Sequence, residues 1–331
     1  MRFGLFLLWQ RPPDTEPRRA AGELLEQVRL VRDDFDLVLT GQHFLSQPWQ
    51  MPQAVPWLAR IAAEAGEMRV GAGVLLVTLL NPVEVAENAA TLDAITDGRF
   101  ILGVGLGYRA EENAAFDLPT NRVTVFTDKL EVIRRLLEGE EVTAEGHGYT
   151  IERARIGIRP VQRPRPPIWL AANADPAVRR AARVADAWLV NPHSTLAELE
   201  RQLGLYVEER GSPPAELPAI RELCVRPTDD EAVETARPYL DGKYKSYVSW
   251  GQSEALPPTD TLRREWDELR HDRFILGSPE TVAAQIREHE RRLGVTDLVF
   301  RIQWPGMPHE EAMRTLDAFR SDVLPRLAVP A

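Results

Sequence analysis

Eight apolar runs of strand length, each followed by a stretch of helical character, carry the chain from residue 3 to residue 327. Strands that alternate with helices run parallel, because a parallel neighbour is reached only through a crossover, and eight such units close into a barrel. The runs fall at residues 3–8, 37–39, 70–77, 100–104, 167–171, 188–190, 220–225 and 297–302. The expected fold is an α/β (β/α)8 TIM barrel, and the alternative that uses the same alternation is a doubly wound open sheet. In a closed barrel the chemistry gathers in the loops after the carboxyl ends of the strands. Function is thereby confined to eight short windows.

Helix starts punctuate the ladder. Asn81-Pro82 with Glu84 reads as a capped start, and Asp175-Pro176, Thr228-Asp229 and Ser278-Pro279 follow the same logic. Two stretches stand outside the cadence. Residues 146–158 read as a short β excursion, and residues 241–273 form an insertion after the seventh strand that is too long for a turn. That insertion carries Tyr244, Tyr247, Trp250 and Trp266 and is a candidate lid. No repeat or linker divides the chain, so residues 1–331 read as a single domain.

A formal net charge of -10 argues against binding nucleic acid or an anionic membrane, which both need a basic face. The single cysteine, Cys224, excludes an internal disulfide and fits a reducing cytoplasm. The opening MRFGLFLLWQRPP lacks the apolar core and cleavage site of a signal peptide, and no run approaches membrane-spanning length. A cytoplasmic location is the expectation. His147, His193, His271, His289 and His309 show no metal-ligand spacing, so no metal is expected.

Several rim residues have the chemistry of a site. His43 follows the second strand, where an imidazole can act as a general base or as a structural hydrogen-bonding group. Gly103-Val-Gly105-Leu-Gly107 is not a dinucleotide fingerprint, because Tyr108 stands where the last glycine would be needed. Ala172-Asn173-Ala174 precedes a helix start, where backbone N–H groups either bind a phosphate or simply make a turn. Asn191, after the sixth strand, is the neighbouring wall. Trp9, Trp49, Tyr108 and Trp304 fall near the rim and, with Tyr247 and Trp250, are the candidate substrate and lid residues. Glu111 and Glu112 sit at a helix start and read as structural acids that favour the dipole.

The segment RVGAGVLLVTLLNPVEVAENAATLDAITDGRFILGVGLGYRAEE resembles the central signature of the bacterial luciferase-like flavin monooxygenases. The opening MRFGLFLLWQRPP, PIWLAANADPAVRRAARVADAWLVNP, ILGSPETVAAQI and FRIQWPGMPHEEAM resemble further family segments in the same order. The resemblance implies a (β/α)8 barrel, a small-molecule substrate, reduced FMN delivered by a separate flavin reductase or else a deazaflavin coenzyme, and a homodimer. It implies a cis peptide at Gly73-Val74 behind the flavin ring, room for the ring at Gly105, and a phosphate seat at Ala172, Asn173 and Ala174 beside Asn191. Luciferases carry their catalytic histidine where this chain has Gln42, and a phosphate-binding arginine where it has Leu106. The phosphate must therefore be held elsewhere, and Gln42 can donate a hydrogen bond but not exchange a proton. The expected function is an FMN-dependent monooxygenase using O2. The alternatives are a deazaflavin-dependent hydride-transfer enzyme and a non-catalytic flavin-binding protein.

Overall fold

The computed structural model describes residues 1–328. The barrel strands are β1 (Arg2–Leu7), β2 (Leu37–Thr40), β3 (Arg69–Ala72), its short continuation β4 (Leu75–Leu76) and β5 (Phe100–Gly105). A hairpin outside the barrel, β6 (Val142–Gly146) and β7 (Tyr149–Ala154), precedes β8 (Ile168–Ala172), β9 (Ala187–Val190) and β10 (Pro218–Val225). The chain ends its sheet with β11 (Ile275–Gly277) and β12 (Asp297–Arg301). All barrel pairs are parallel. Their order β1-β2-β3-β5-β8-β9-β10-β12 closes through Arg2↔Asp297 and Ala219↔Val190. The open-sheet alternative is excluded.

The helices are α1 (Pro17–Val31), α2 (Ala54–Ala62), α3 (Pro82–Ile95), α4 (Ala110–Ala115), α5 (Arg122–Glu138) and α6 (Asp175–Val184). They continue as α7 (Leu196–Arg210), α8 (Asp229–Ser249), α9 (Trp266–Arg270), α10 (Pro279–Leu293), α11 (His309–Ala318) and α12 (Leu324–Ala328). Asn81, Thr228 and Ser278 cap their helices with side-chain acceptors, as their positions in the sequence suggest. Asp175 does not. Ala174 takes the N-cap position, which leaves the Asp175 carboxylate to receive Arg201 and Gln202 from α7.

Strand alternation sorts the core. Leu5, Leu7, Leu102, Val104, Leu298 and Phe300 face the surrounding helices. Phe6, Leu39, Ile101, Trp169, Leu189, Ile220 and Val299 fill the barrel interior. The same period places Arg301, two residues after Val299, on the interior side at the carboxyl end of β12. Between β3 and β4 the Gly73–Val74 peptide is cis, at the position the resemblance implied.

Two boundaries differ from the sequence reading. The β excursion begins at Val142 rather than at residue 146, because β6 carries charged and small residues that give little apolar signal. The insertion expected to start at residue 241 begins inside α8, which continues through Ser249. Lys243, Tyr244 and Tyr247 on that last stretch are buried against the rim. The irregular part is 250–265, between α8 and α9, and the buried Arg273–Asp260 ion pair ties it to the barrel. Arg273 also donates to the carbonyl of His193 after β9. No helix among the described residues is long and apolar enough to cross a membrane.

Candidate active site

A cavity of about 440 Å³ opens at the carboxyl ends of the strands, within the size range of small-molecule sites. Most of the rim residues singled out in the sequence meet in its wall: Trp9, Gln42, His43, Gly73, Val74, Gly105, Tyr108, Ala172, Asn173, Ala174, Asn191 and Tyr247. Three other candidates stand outside it. Trp49 lines a separate shallow hollow beside Trp9. Trp304 is buried behind the wall, where its indole N–H donates to Glu222 at 2.6 Å. Trp250 lies over the guanidinium of Arg109 at 4.5 Å and tilts against His43, with 5.9 Å between ring centroids.

His43 is organised by a residue that looked structural. Its Nδ1 lies 2.9 Å from Oε1 of Glu112, and the same oxygen accepts the backbone N–H of Phe44 at 2.8 Å. An ionised carboxylate only accepts, so Nδ1 carries the hydrogen and Nε2 is left as a proton acceptor. Helix α4 brings Glu112 there, and Arg109 before it holds the carbonyls of Phe44 and Leu45 at 2.9 and 3.2 Å. Glu112 is 1% exposed, and its Oε2 has no partner among the described residues. In sequence terms the helix-dipole explanation hid this partnership. The only available signal was Glu112 lying within reach of a rim that also holds His43.

Gln42 plays a different part. Its amide donates to Gln53 at 3.1 Å and its oxygen accepts the N–H of Leu76 at 3.0 Å. Both ends of the side chain are engaged in fixing β4 beside β2. The wall next to it is thin because it must be: a Cβ on Gly105 would stand 2.5 Å from Val74 Cγ2, and one on Gly73 3.0 Å from Phe6.

At the β5–β8 side two arginines reach the cavity from helices. Arg122 opens α5, lines the cavity and donates to the carbonyl of Gly107 at 3.0 Å. Arg180 on α6 also lines it, with a buried Nε that has no partner among the described residues. Burial pushes the pKa of Arg180 below the usual arginine range. Beside these cations lies the α6 N-terminus with Asn173 and Ala174, and Gln202 fixes that turn through the Asn173 carbonyl at 2.7 Å. Two arginines, a helix N-terminus and a glycine-thinned wall fit a planar coenzyme that carries a phosphate.

The opposite side is cationic as well. Arg301 lies over the Phe6 ring at 4.4 Å, and burial raises the pKa of the Tyr247 phenol while the Arg301 charge opposes the rise. His193 is held neutral, its pKa pushed well below 6.5 by burial and then by Arg301, Lys243, Arg221 and Arg273. No group of three or more metal-binding side chains occurs among the described residues.

A closed parallel barrel with a deep mouth cavity, two arginines beside a helix N-terminus and a paired histidine defines the class as a (β/α)8 barrel with a small-molecule site. The model of the luciferase-like monooxygenases matches residues 1–297, and the chain belongs to that family. The F420-dependent glucose-6-phosphate dehydrogenase of Kineococcus radiotolerans is 29% identical, the match covering 93% of this chain and 94% of that relative. Among solved structures, monooxygenase RslO1 from Streptomyces bottropensis superposes with a TM-score of 0.87 at 24% identity, covering 99% of this chain and 100% of that one. The oxygenating constituent of 3,6-diketocamphane monooxygenase from Pseudomonas putida, in complex with FMN, gives 0.78 at 18% identity, covering 100% and 99%. The protein is an oxidoreductase of a family served by flavin and deazaflavin coenzymes.

Proposed function

We propose that the protein is a deazaflavin-dependent oxidoreductase that interconverts an alcohol and a carbonyl compound. The observation that carries this reading is the His43–Glu112 pair at 2.9 Å on the cavity wall. Alcohol oxidation releases a hydroxyl proton as the carbon gives up its hydride, and the reverse reaction returns one. A deazaflavin, when bound, supplies the two-electron acceptor or donor for that hydride.

The remaining tasks fall to the chain. His43 takes the proton at Nε2, and Glu112 holds the ring in that tautomer and stabilises the imidazolium that forms. Arg122, Arg180, Asn173 and the α6 N-terminus hold the coenzyme phosphate. Gly73, Val74 and Gly105 leave space for the ring, Ala172, Ala174 and Asn191 extend that wall, and Gln42 keeps β4 in place behind it. Trp9, Tyr108 and Tyr247 enclose the substrate, with 250–265 as the cover. The name of the curated relative supports the choice of coenzyme.

The second reading is oxygenation with reduced FMN supplied by a separate reductase. One observation favours it: the ring set of Tyr108, His43, Trp250 and Tyr247, joined by contacts of 5.9 to 6.0 Å, can shield the cavity from water. Parallel anaerobic titrations of the protein with coenzyme F420 and with reduced FMN separate the two. Tighter F420 binding is expected, and FMN binding without F420 binding returns the oxygenase reading.

A further inference from the structure

A second set of cations gathers beside β12, apart from the arginines assigned above to the coenzyme phosphate. Around the ring of strands Arg301 on β12 stands four places from β5 and so opposite it, while Arg122 and Arg180 follow β5 and β8. Buried cations in a chain of net charge -10 need a reason, because an unpaired buried charge is costly. One carboxylate is within reach of Arg301, that of Glu222 at 3.8 Å, and it is already engaged. Its Oε1 takes Lys243 at 2.5 Å and the Tyr244 hydroxyl at 3.3 Å, and its Oε2 takes the Trp304 indole at 2.6 Å. Two cations thus share one anion.

The unused hydrogens point to the same conclusion. Arg301 is 8% exposed, and its Nε and Nη1 have no partner among the described residues. Asn191 is 5% exposed, and its Nδ2 is likewise unpartnered. The orientation of that amide is fixed, because its oxygen accepts the N–H groups of His193 and Ser194 at 2.8 and 3.0 Å. Gln252, 3% exposed, adds a fourth nitrogen without a partner among the described residues. All three residues line the cavity. A buried donor without a protein acceptor calls for a water, an ion or a ligand, and the place of these donors on the cavity wall points to a ligand.

We infer that the substrate carries an oxyanion, a carboxylate or a phosphate ester, which docks on Arg301 with Asn191 and Gln252. The inference rests on the cavity being the coenzyme and substrate site described above. Arg301 ends β12 and His43 follows β2, the strands on either side of β1, so a hydroxy or keto acid can present its reacting carbon to His43 and its anionic end to Arg301. Tyr108 lies on the His43 side of this space. It meets His43 edge-on at 5.9 Å, and burial raises its pKa, so its hydroxyl stays protonated.

The test is calorimetric binding of benzoate, phenyl phosphate and neutral benzyl alcohol to the full chain, with and without saturating coenzyme F420. One anion should bind at least tenfold more tightly than benzyl alcohol, and the stronger one names the oxyanion. Arg301→Gln should remove about tenfold or more of that affinity. Asn191→Asp keeps the acceptor that caps residues 193–194 and should also weaken the anion, which guards against a folding defect in the arginine variant. The anion should still bind with F420 in place. Equal affinity for the neutral probe, or loss of anion binding on F420 saturation, would overturn the inference by showing that these donors serve no substrate anion. Anion binding without any F420 binding would instead sink the deazaflavin reading and leave the subsite standing.

Discussion

His43 and Glu112, separated by 69 positions in sequence, meet at 2.9 Å on the wall of the barrel-mouth cavity. The contact fixes the orientation of a strand-end imidazole, and under the proposed reading His43 is the base. His43→Ala should lower kcat by roughly 10² to 10⁴ with little change in coenzyme affinity. Glu112→Gln should lose part of that rate and alter the pH profile, since a neutral amide no longer favours the imidazolium. Steady-state rates across pH check both, and unchanged profiles would assign the pair to structure alone.

Coenzyme affinity should depend on the helix-borne arginines. Arg180→Met removes a cation with an unpartnered Nε and should weaken binding by about 10- to 100-fold, the worth of a charge-assisted hydrogen bond. Asn173→Asp places like charge beside the same phosphate and should act in the same direction. Fluorescence titration with coenzyme F420 measures both, and an unchanged dissociation constant would move the phosphate elsewhere.

Acid should destabilise the fold through buried histidines. His289 accepts Arg221 at Nε2 (3.0 Å) and donates to the Gln285 carbonyl at 2.8 Å, and burial, with the charge of Arg221, pushes its pKa down to about 3. Between pH 6.5 and about 3 the unfolded chain binds a proton here that the native state does not. Stability from this group is therefore complete above pH 6.5 and lost as pH falls, at about 1.4 kcal/mol per unit. His193 acts in the same sense. Denaturant unfolding at about pH 7 and pH 5 should show a smaller difference for His289→Gln than for the wild type. Equal differences would exclude the linkage.

Two glycine substitutions should diverge. A Cβ on Gly103 would lie 1.9 Å from the Ala72 carbonyl, so Gly103→Ala should cost about 1–3 kcal/mol or more. Gly22, within α1, has nothing within 4 Å, and Gly22→Ala should stabilise by about 0.5–1 kcal/mol. Thermal unfolding of the pair checks the packing of β3 on β5.

The alternation of apolar runs made the barrel legible because its strands are largely buried on both faces and so read as mostly apolar stretches. The hairpin was only half visible, since β6 is partly exposed and its residues alternate weakly. Rim glycines and Asn173 could be placed from strand ends. The partners of those residues could not. Arg122, Arg180 and Arg301 reach the cavity from helices or from the interior face of a strand, Glu112 reaches His43 from α4, and no local pattern distinguishes them from the chain's many solvated charges. Trp49 and Trp304 show the reverse error: nearness to a rim loop in sequence did not put them in the wall.

Deazaflavin-dependent alcohol–carbonyl chemistry is tested most directly by an anaerobic single-turnover experiment with reduced coenzyme F420 and a panel of small keto acids. The expected result is reoxidation of the coenzyme without oxygen, formation of the hydroxy acid, and loss of the reaction in His43→Ala. No reoxidation under these conditions, together with FMN-dependent consumption of O2, would contradict it.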